Sequence, residues 1–316
     1  MKSTLADGIH YFGRTGFPLA IRRVRTDQQH TQSHPHDLTE IKHRHDFCEL
    51  VVVTQGQAFH HLENTDFPVF AGDVFLLQGQ QSHFFHGRKN LRLINIMYDP
   101  NKIGLPENEL RKLPGYCALF MLEPTYRRQH RFASRLHLGR IPLAHIEQLA
   151  REMENERQNK PPGYEVALRA KLLELIIYLS RAYPQTNTLE AHALLRVGHV
   201  IGALENNPAQ SWKLADLQHI AHMSRSNLMR VFRKATGQTP IEYLLRLRIQ
   251  KAMELLQNSD LKITEIAFEI GFNDSNYFTR QFKRIQGLSP RDFRTQHQSK
   301  FLREANTDFL TVNGHK

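Results

Sequence analysis

The amino-acid sequence predicts an α+β protein in which a β-rich N-terminal half is followed by helices. Between residues 38 and 98, short runs rich in β-branched and aromatic residues alternate with turn-forming residues, which is typical of a small β-barrel or sandwich. After residue 142, apolar residues recur at the spacing of amphipathic helices instead. A chain of 316 residues is long enough for two domains with separate cores.

Composition narrows the class of protein. The formal net charge of +11 indicates a polyanionic partner such as nucleic acid or an anionic membrane, with a merely basic soluble protein as the plain alternative. Cys48 and Cys117 are too few for a disulfide scaffold. The sequence shows neither a secretory signal nor an apolar run long enough to span a bilayer. We therefore expect a cytoplasmic protein without a membrane partner.

Two helices and a linker are expected after the β-rich half. The runs 142–158 and 163–183 each carry an apolar stripe at helical spacing. The stripe of 163–183 could pack on the β-rich half or on a second subunit. One proline and several small polar residues without an apolar period predict a linker at 184–193. The expected segments are 1–142 (β-rich domain), 143–183 (helical packing or dimerisation segment), 184–193 (linker), 194–297 (helical domain) and 298–316 (tail).

The C-terminal part contains an internal repeat with an offset of 50 residues. "NLMRVFRKATGQTP" (227–240) aligns with "YFTRQFKRIQGLSP" (277–290), and the basic pairs, the inward apolar residues, the glycine and the proline coincide. Each copy predicts two helices joined by a tight turn, with Ser224 and Asp274 as N-caps of the second helices. This layout is a helix-turn-helix, in which one helix braces another that presents polar side chains to a DNA groove.

The second copy extends this pattern into a recognisable signature. "ITEIAFEIGFNDSNYFTRQFKRIQGLSPRDFR" (263–294) resembles the signature of AraC/XylS-type transcription regulators, and the resemblance covers 195–295. It implies that the exposed first turns of each second helix read bases, by Arg on guanine, Asn on adenine or Asp on cytosine. The base-reading candidates are Arg225, Ser226, Asn227, Arg230, Asp274, Ser275, Asn276, Thr279 and Arg280. The candidates for phosphate contacts are Lys234, Lys283 and Arg284.

The β-rich half contains a second group of polar residues. "HRHDFCELVVVTQG" (43–56) and "FAGDVFLLQGQQSH" (70–83) resemble the two motifs of the cupin barrels. Imidazole and carboxylate groups suit Zn, Fe, Mn or Ni, but neutral imidazole also donates to and accepts from sugar hydroxyls. We favour ligand binding without metal, with metal-assisted chemistry and a structural role as alternatives. His60, His61 and His86 are as consistent with a place near this group as with exposed strand positions. The ligand-binding candidates are His43, His45, Glu49 and His83.

Three further stretches narrow the resemblance. "HDFCEL" (45–50), "NLRLINIMY" (90–98) and "DSNYF" (274–278) are similar to the rhamnose-responsive members of the same family. This implies a small sugar effector, with L-rhamnose as the first candidate. We therefore expect a non-enzymatic activator that binds promoter DNA, recruits RNA polymerase and forms a homodimer. No cofactor is expected. The alternatives are a cupin metalloenzyme acting on a small sugar, and an architectural DNA binder that is indifferent to sugars.

Overall fold

The computed structural model describes residues 4–14, 16–25, 41–62, 64–78, 81–127 and 132–296. The predicted tail (298–316) lies outside these residues. The chain divides into two compact units, Met1–Gly202 and Ala203–Lys316. None of the helices in the described ranges is both long and apolar enough to cross a membrane.

Eight strands in the described part of the first unit form one sheet, which confirms the predicted β-rich half. They are β1 (Thr4–Ala6), β2 (Leu19–Arg25), β3 (His43–His45), β4 (Cys48–Leu62), β5 (Thr65–Phe70), β6 (Asp73–Leu77), β7 (His83–Tyr98) and β8 (Leu136–His137). The order is β1-β3-β7-β4-β6-β8, with β2 paired to β7 and β5 to β4. The long strands β4 and β7 run antiparallel to each other, and β1 and β3 are parallel.

One face of this sheet, here called the inner face, carries a hydrophobic core. Val53 of β4, Phe75 of β6 and Leu93 of β7 pack in one buried cluster. Successive side chains of a strand point to opposite faces, so residues two apart share this core. Complete burial of such a side chain contributes roughly 1.5–3 kcal/mol. The core therefore fixes which side chains of each strand point inward.

The strand β4 changes the parity of its inward residues along its length. Val51 and Val53 belong to the core near its start, whereas Ala58 and Leu62 belong to the same core near its end. The pairing of β4 with β7 shifts register at three places between Val53 and Phe59. Such β-bulges add a residue to one strand only. After the bulges, even-numbered residues of β4 point inward where odd-numbered ones did before.

The helices of the first unit include elements in a region where the sequence predicts none. They are α1 (Ile9–Phe12), α2 (Glu107–Leu110), α3 (the successive segments Pro114–Tyr116, Cys117–Leu122 and Glu123–Tyr126), α4 (Arg140–Asn159), α5 (Tyr164–Ala182) and α6 (Leu189–Asn206). The middle segment of α3 is a π-helix. Its wider hydrogen bonding departs from the 3.6-residue period by which a helix is recognised in a sequence. Residues 100–140 therefore give no helical signal although α2 and α3 lie there.

The apolar stripe of α5 is buried within the chain. Leu172, Leu175 and Leu179 are each 0% exposed. An added Cβ on Gly115 of α3 would lie 1.8 Å from the carbonyl oxygen of Ser180, so α3 and α5 pack backbone against backbone. The alternative that this stripe meets a second subunit is therefore wrong, because the chain itself covers it.

The linker predicted at 184–193 is wrong over most of its length. The segment Tyr183–Gln185 is a 3₁₀ turn, and α6 begins at Leu189. The Tyr183 hydroxyl donates to the Ser134 carbonyl oxygen at 2.7 Å, and the Thr188 hydroxyl accepts from the Ala191 amide at 3.1 Å. Small polar residues and proline thus start helices here, as N-caps and first-turn residues do. The division between the two units falls within α6 instead.

The second unit is helical beyond α6. Its helices are α7 (Leu214–Ala221), α8 (Arg225–Thr236), α9 (Pro240–Asn258), α10 (Ile263–Glu269), α11 (Ser275–Gln286) and α12 (290–296). The pairs α7–α8 and α10–α11, here called the first and second motif, confirm the two predicted helix-turn-helix motifs. Ile266, Phe278 and Phe282 pack against Ile249 and Leu256 of α9. The α+β class with two helix-turn-helix motifs is therefore confirmed, and α9 is part of the core of the second motif.

Candidate functional site

The four residues predicted to bind a ligand converge on the inner face of the sheet. His43 and His45 lie on β3, Glu49 on β4 and His83 on β7. His43 pairs in register with His83. The Glu49 Oε2 atom lies 3.3 Å from His45 Nε2 and 3.6 Å from His83 Nε2, and all four residues are buried. The two sequence motifs therefore supply one group of side chains.

His60 joins this group, although the sequence gives it no preference over an exposed position. It is 0% exposed, and its Nε2 atom lies 3.4 Å from His83 Nδ1. The His60 ring stacks between Phe75 and Phe85, with centroid distances of 5.1 and 4.7 Å. Simple alternation from Glu49 would turn His60 outward. The bulges of β4 reverse that parity and bring it inside.

Asn95 of β7 is a further member that sequence reasoning missed. It is 4% exposed, and its register partner on β4 is Val51. It lies in the last stretch of β7, 93–98, whose other residues are apolar or aromatic, so an amide in that stretch is the signal that could have found it. We call His43, His45, Glu49, His60, His83 and Asn95 the inner cluster.

Several polar atoms of the inner cluster make no hydrogen bond of good geometry among the described residues, although Glu49 Oε2 lies 3.3 Å from His45 Nε2 and 3.6 Å from His83 Nε2. They are Glu49 Oε2, His45 Nε2, His83 Nε2, His60 Nδ1 and Asn95 Oδ1. A buried donor or acceptor that is left without a partner costs about 1–3 kcal/mol. A cluster of such atoms is therefore the expected signature of a site whose polar ligand supplies the missing partners.

Backbone carbonyls fix the tautomers of two of these histidines. His45 Nδ1 lies 2.7 Å from the Phe47 carbonyl oxygen, and His43 Nδ1 lies 3.0 Å from the Ile41 carbonyl oxygen. A carbonyl oxygen only accepts, so each Nδ1 carries the proton and each Nε2 keeps a lone pair in the neutral ring. Both Nε2 atoms can then accept a hydrogen bond from a ligand hydroxyl or coordinate a metal.

Burial keeps the remaining histidines of the inner cluster uncharged. Loss of hydration is the main reason that the pKa values of His60 and His83 lie well below the ordinary histidine range. The charge of Arg127 lowers the pKa of His60 further. A neutral imidazole has one donor and one acceptor nitrogen, so these rings suit a ligand that carries hydroxyl groups.

A small cavity, partly open to solvent, lies beside the inner cluster and has room for about one water molecule. Val24, Leu91 and Leu93 give it an apolar side, and Arg88 also lines it. Mostly apolar walls with a few convergent polar groups are typical of a small-molecule site. The ligand atoms of His45, Glu49 and His83 lie within 4.8 Å of one another, so this donor set also fits a metal ion.

The recognition helices α8 and α11 begin at capping residues in equivalent positions. The Ser224 hydroxyl accepts from the Asn227 amide at 3.4 Å. The Asp274 Oδ1 atom accepts from the Asn276 amide at 2.7 Å and from the Tyr277 amide at 3.2 Å. Each helix ends before a glycine in the left-handed conformation. The residues repeated in the sequence therefore set equivalent start and end points of the two helices.

Each recognition helix buries one side and exposes a polar side. Phe232 and Phe282 are 0% exposed, and the phosphate candidates Lys234, Lys283 and Arg284 are exposed. Of the base-reading candidates, the exposed ones are Arg225, Ser226, Arg230, Asp274, Asn276 and Arg280, and the partly buried ones are Asn227, Ser275 and Thr279. The nine candidates therefore differ in how far they are exposed to solvent.

Three of these candidates already use their polar atoms inside the helix. Arg230 donates to Asn227 Oδ1 at 2.8 Å, and the Thr279 hydroxyl donates to the Ser275 carbonyl oxygen at 2.9 Å. Tyr277, which the sequence analysis left out, is 45% exposed and has the Arg280 guanidinium 5.9 Å from its ring centroid. It corresponds to Asn227 in the repeat, and that alignment could have identified it.

The fold and the two sites define a DNA-binding regulator with a separate ligand-binding domain. The family model "AraC-like ligand binding domain" matches residues 19–176, and the model "Helix-turn-helix domain" matches residues 217–296. The chain belongs to the AraC family of transcription regulators.

Two relatives are similar over most of their length. HTH-type transcriptional activator RhaR of Salmonella dublin is 30% identical over 274 residues, which is 85% of this chain and 93% of that protein. RhaR of Yersinia pestis bv. Antiqua (strain Angola) is 31% identical over 270 residues, 84% of this chain and 87% of that protein. The solved DNA-binding domain of AdpA in complex with a target DNA is 28% identical over 33% of this chain and 95% of that chain, with a TM-score of 0.33.

Proposed function

We propose that the protein is a sugar-responsive transcription activator that binds promoter DNA through α8 and α11 and a small sugar at the inner cluster. The observation that carries the sugar proposal is the set of buried polar atoms of the inner cluster that lack a good hydrogen bond, three of which, on Glu49, His83 and Asn95, belong to residues that line the cavity. The activator role is supported by the names of the RhaR relatives. Those names also make L-rhamnose the first sugar to test.

The chemistry of the cavity supports a sugar ligand. The Nε2 lone pairs of His43 and His45 and the Glu49 carboxylate can accept hydrogen bonds from hydroxyl groups. Leu91 and Leu93 line the same cavity and would contact the methyl group of a 6-deoxy sugar such as L-rhamnose. A site that pairs its polar atoms with hydroxyls discriminates strongly against analogues that lack them.

The second unit would bind promoter DNA with both motifs. The long helix α9 between the motifs would hold α8 and α11 at a separation that lets them enter successive major grooves. Arg230 and Arg280 occupy equivalent exposed positions and would each pair with a guanine. Lys234, Lys283 and Arg284 would contact phosphates, which makes the affinity for DNA fall as salt rises.

The sugar would act by shifting a conformational equilibrium. A ligand changes the populations of two states only when it binds them with different affinity. The DNA-competent state would therefore have the higher affinity for the sugar, and it would recruit RNA polymerase to the promoter. A homodimer is part of the proposal, and it would have to use a surface other than the covered stripe of α5.

Fluorescence anisotropy of the full-length protein on its own upstream DNA tests this proposal. Titrations at two salt concentrations, with and without L-rhamnose, should show selective binding that weakens with salt and tightens with the sugar. A Glu49→Gln variant should keep the DNA affinity and lose the response to sugar. Selective DNA binding that L-rhamnose does not change would exclude L-rhamnose as the effector, and other sugars would then be tested. Absence of selective binding at both salt concentrations would contradict the regulator.

A cupin metalloenzyme is the second candidate. Its support is the group of ligand atoms from His45, Glu49 and His83 within 4.8 Å of one another. This alternative predicts stoichiometric metal in the inner cluster and turnover of a small sugar. Metal analysis of the purified protein, with Glu49→Gln as control, distinguishes it from the sensor.

A further inference from the structure

A second group of metal-ligating side chains lies on the outer face of the sheet. His61 of β4 pairs in register with Asp66 of β5. His61 also pairs with Phe84 of β7, and His86 lies two residues further along β7, on the same face as Phe84. Their neighbours His60 and Phe85 point inward to the inner cluster. We call His61, Asp66 and His86 the outer triad, and the proposed function uses none of them.

The ligand atoms of the outer triad already converge. Asp66 Oδ1 lies 2.6 Å from His61 Nδ1 and 3.1 Å from His86 Nε2. All three ligand atoms lie within 4.8 Å of one another. In a tetrahedral zinc site with bonds of about 2.0–2.2 Å, ligand atoms are about 3.4 Å apart. Asp66 would therefore need to move from each imidazole by less than about 1 Å to admit the ion.

The surroundings hold the two imidazoles in place and leave the site accessible. The His61 ring packs on Phe84 at a centroid distance of 4.6 Å, and the His86 ring stacks on Phe59 at 5.5 Å. The side chains of His61, His86 and Asp66 are 22%, 29% and 47% exposed. An ion can therefore enter from solvent, and water can fill its remaining coordination positions.

We propose that His61, Asp66 and His86 form a binding site for a divalent transition-metal cation of the Zn²⁺ type. Two imidazoles and one carboxylate favour Zn²⁺, Ni²⁺ or Co²⁺ over Mg²⁺ and Ca²⁺, which prefer oxygen ligands. The ion would join β5 and β7 across β4. The proposal is independent of the sugar and of DNA, because it depends on outward residues alone.

Competitive titration of chelator-treated, full-length protein with Zn²⁺ against a chromophoric chelator tests the site. The variants Asp66→Ala and His86→Gln should each weaken outer zinc binding by about tenfold or more, because even the loss of a group that only orients a ligand costs about 10–100-fold. Glu49→Gln, which alters the inner cluster, and His145→Ala, which removes an exposed histidine of α4, should retain the outer zinc.

Two results would overturn the proposal. One is zinc affinity in Asp66→Ala and His86→Gln equal to that of the wild type. The other is loss of zinc only in Glu49→Gln, which would assign the ion to the inner cluster. Circular dichroism of the metal-free variants establishes that they fold. The visible spectrum of the Co²⁺-loaded protein should also change in His86→Gln and stay unchanged in His145→Ala.

Discussion

The first and second motifs place their caps and inward aromatic residues 50 residues apart, but the two copies anchor their recognition helices differently. Ser224 caps α8 through one amide at 3.4 Å, whereas Asp274 caps α11 through two amides at 2.7 and 3.2 Å. A carboxylate at a helix N-terminus also interacts favourably with the helix dipole. The start of α11 is thus more firmly fixed than that of α8.

The cores beneath the two helices also hold α11 more firmly than α8. Phe282 contacts the rings of Phe278 and Phe293 at centroid distances of 5.7 and 5.5 Å. Its counterpart Phe232 contacts Tyr243 at 5.6 Å. A repeat in sequence therefore need not give two equivalent binding elements. We expect α11 to be the better preorganised reader and α8 the more adaptable one.

Truncation of the inward aromatic residues should have the largest effect and gives the strongest test of the difference between the two motifs. Phe282→Ala should lower the free energy of unfolding of the second unit by about 3–5 kcal/mol, and Phe232→Ala by an amount at the lower end of that range. Urea titration followed by the fluorescence of Trp212, the only tryptophan, measures both. A larger loss in Phe232→Ala would contradict the difference between the motifs.

Removal of the equivalent arginines should have the next largest effect. Arg230→Ala and Arg280→Ala should each weaken specific DNA binding by about 1–3 kcal/mol. Arg280→Ala should cost more, because Arg230 must first give up its bond to Asn227. Anisotropy titration measures the affinities, with Arg181→Ala on α5 as the matched surface control. If both variants bind DNA with the same affinity as the control, neither arginine reads a base.

Substitution of the caps gives the smallest and sharpest effect. Ser224→Ala and Asp274→Ala should each cost about 0.5–2 kcal/mol of stability, with the larger loss at Asp274. Asp274→Asn separates two roles, since asparagine caps well but carries a neutral amide, which pairs with adenine rather than preferring cytosine as a carboxylate does. Unchanged stability with altered DNA sequence preference would assign base reading to Asp274. Unchanged stability and preference would leave it as a cap alone.

The repeat could be predicted because its signals are local. A cap, a pair of inward residues and a terminal glycine act within one helix, so their spacing survives in the sequence at Ser224 and Gly237 as it does at Asp274 and Gly287. The convergence of His45, Glu49 and His83 was also predictable, because all three belong to the two cupin-like motifs of the sequence. The DNA and sugar roles of these residues stay predictions.

The parts of the fold and of the inner cluster that the sequence did not predict depend on features that no local sequence pattern records. The π-helix in α3 hides a helix from its usual period, and the buried Tyr183 turns an apparent linker into packed structure. The position of His60 depends on where β4 and β7 fall out of register. Register is a property of two strands together, so one strand's alternation could not reveal it.

The number of residues in the bulged stretch of β4 determines which side chains reach the inner cluster and which reach the outer triad. His60 and His61 are adjacent, and the same parity shift sends one inward and the other outward. Deletion of a single residue from the bulged stretch would turn His61 inward, into the place of His60, and His60 outward, into the place of Phe59 opposite His86. Leu62 would then stand opposite Asp66, so neither histidine can change faces without the other and without loss of the outer triad.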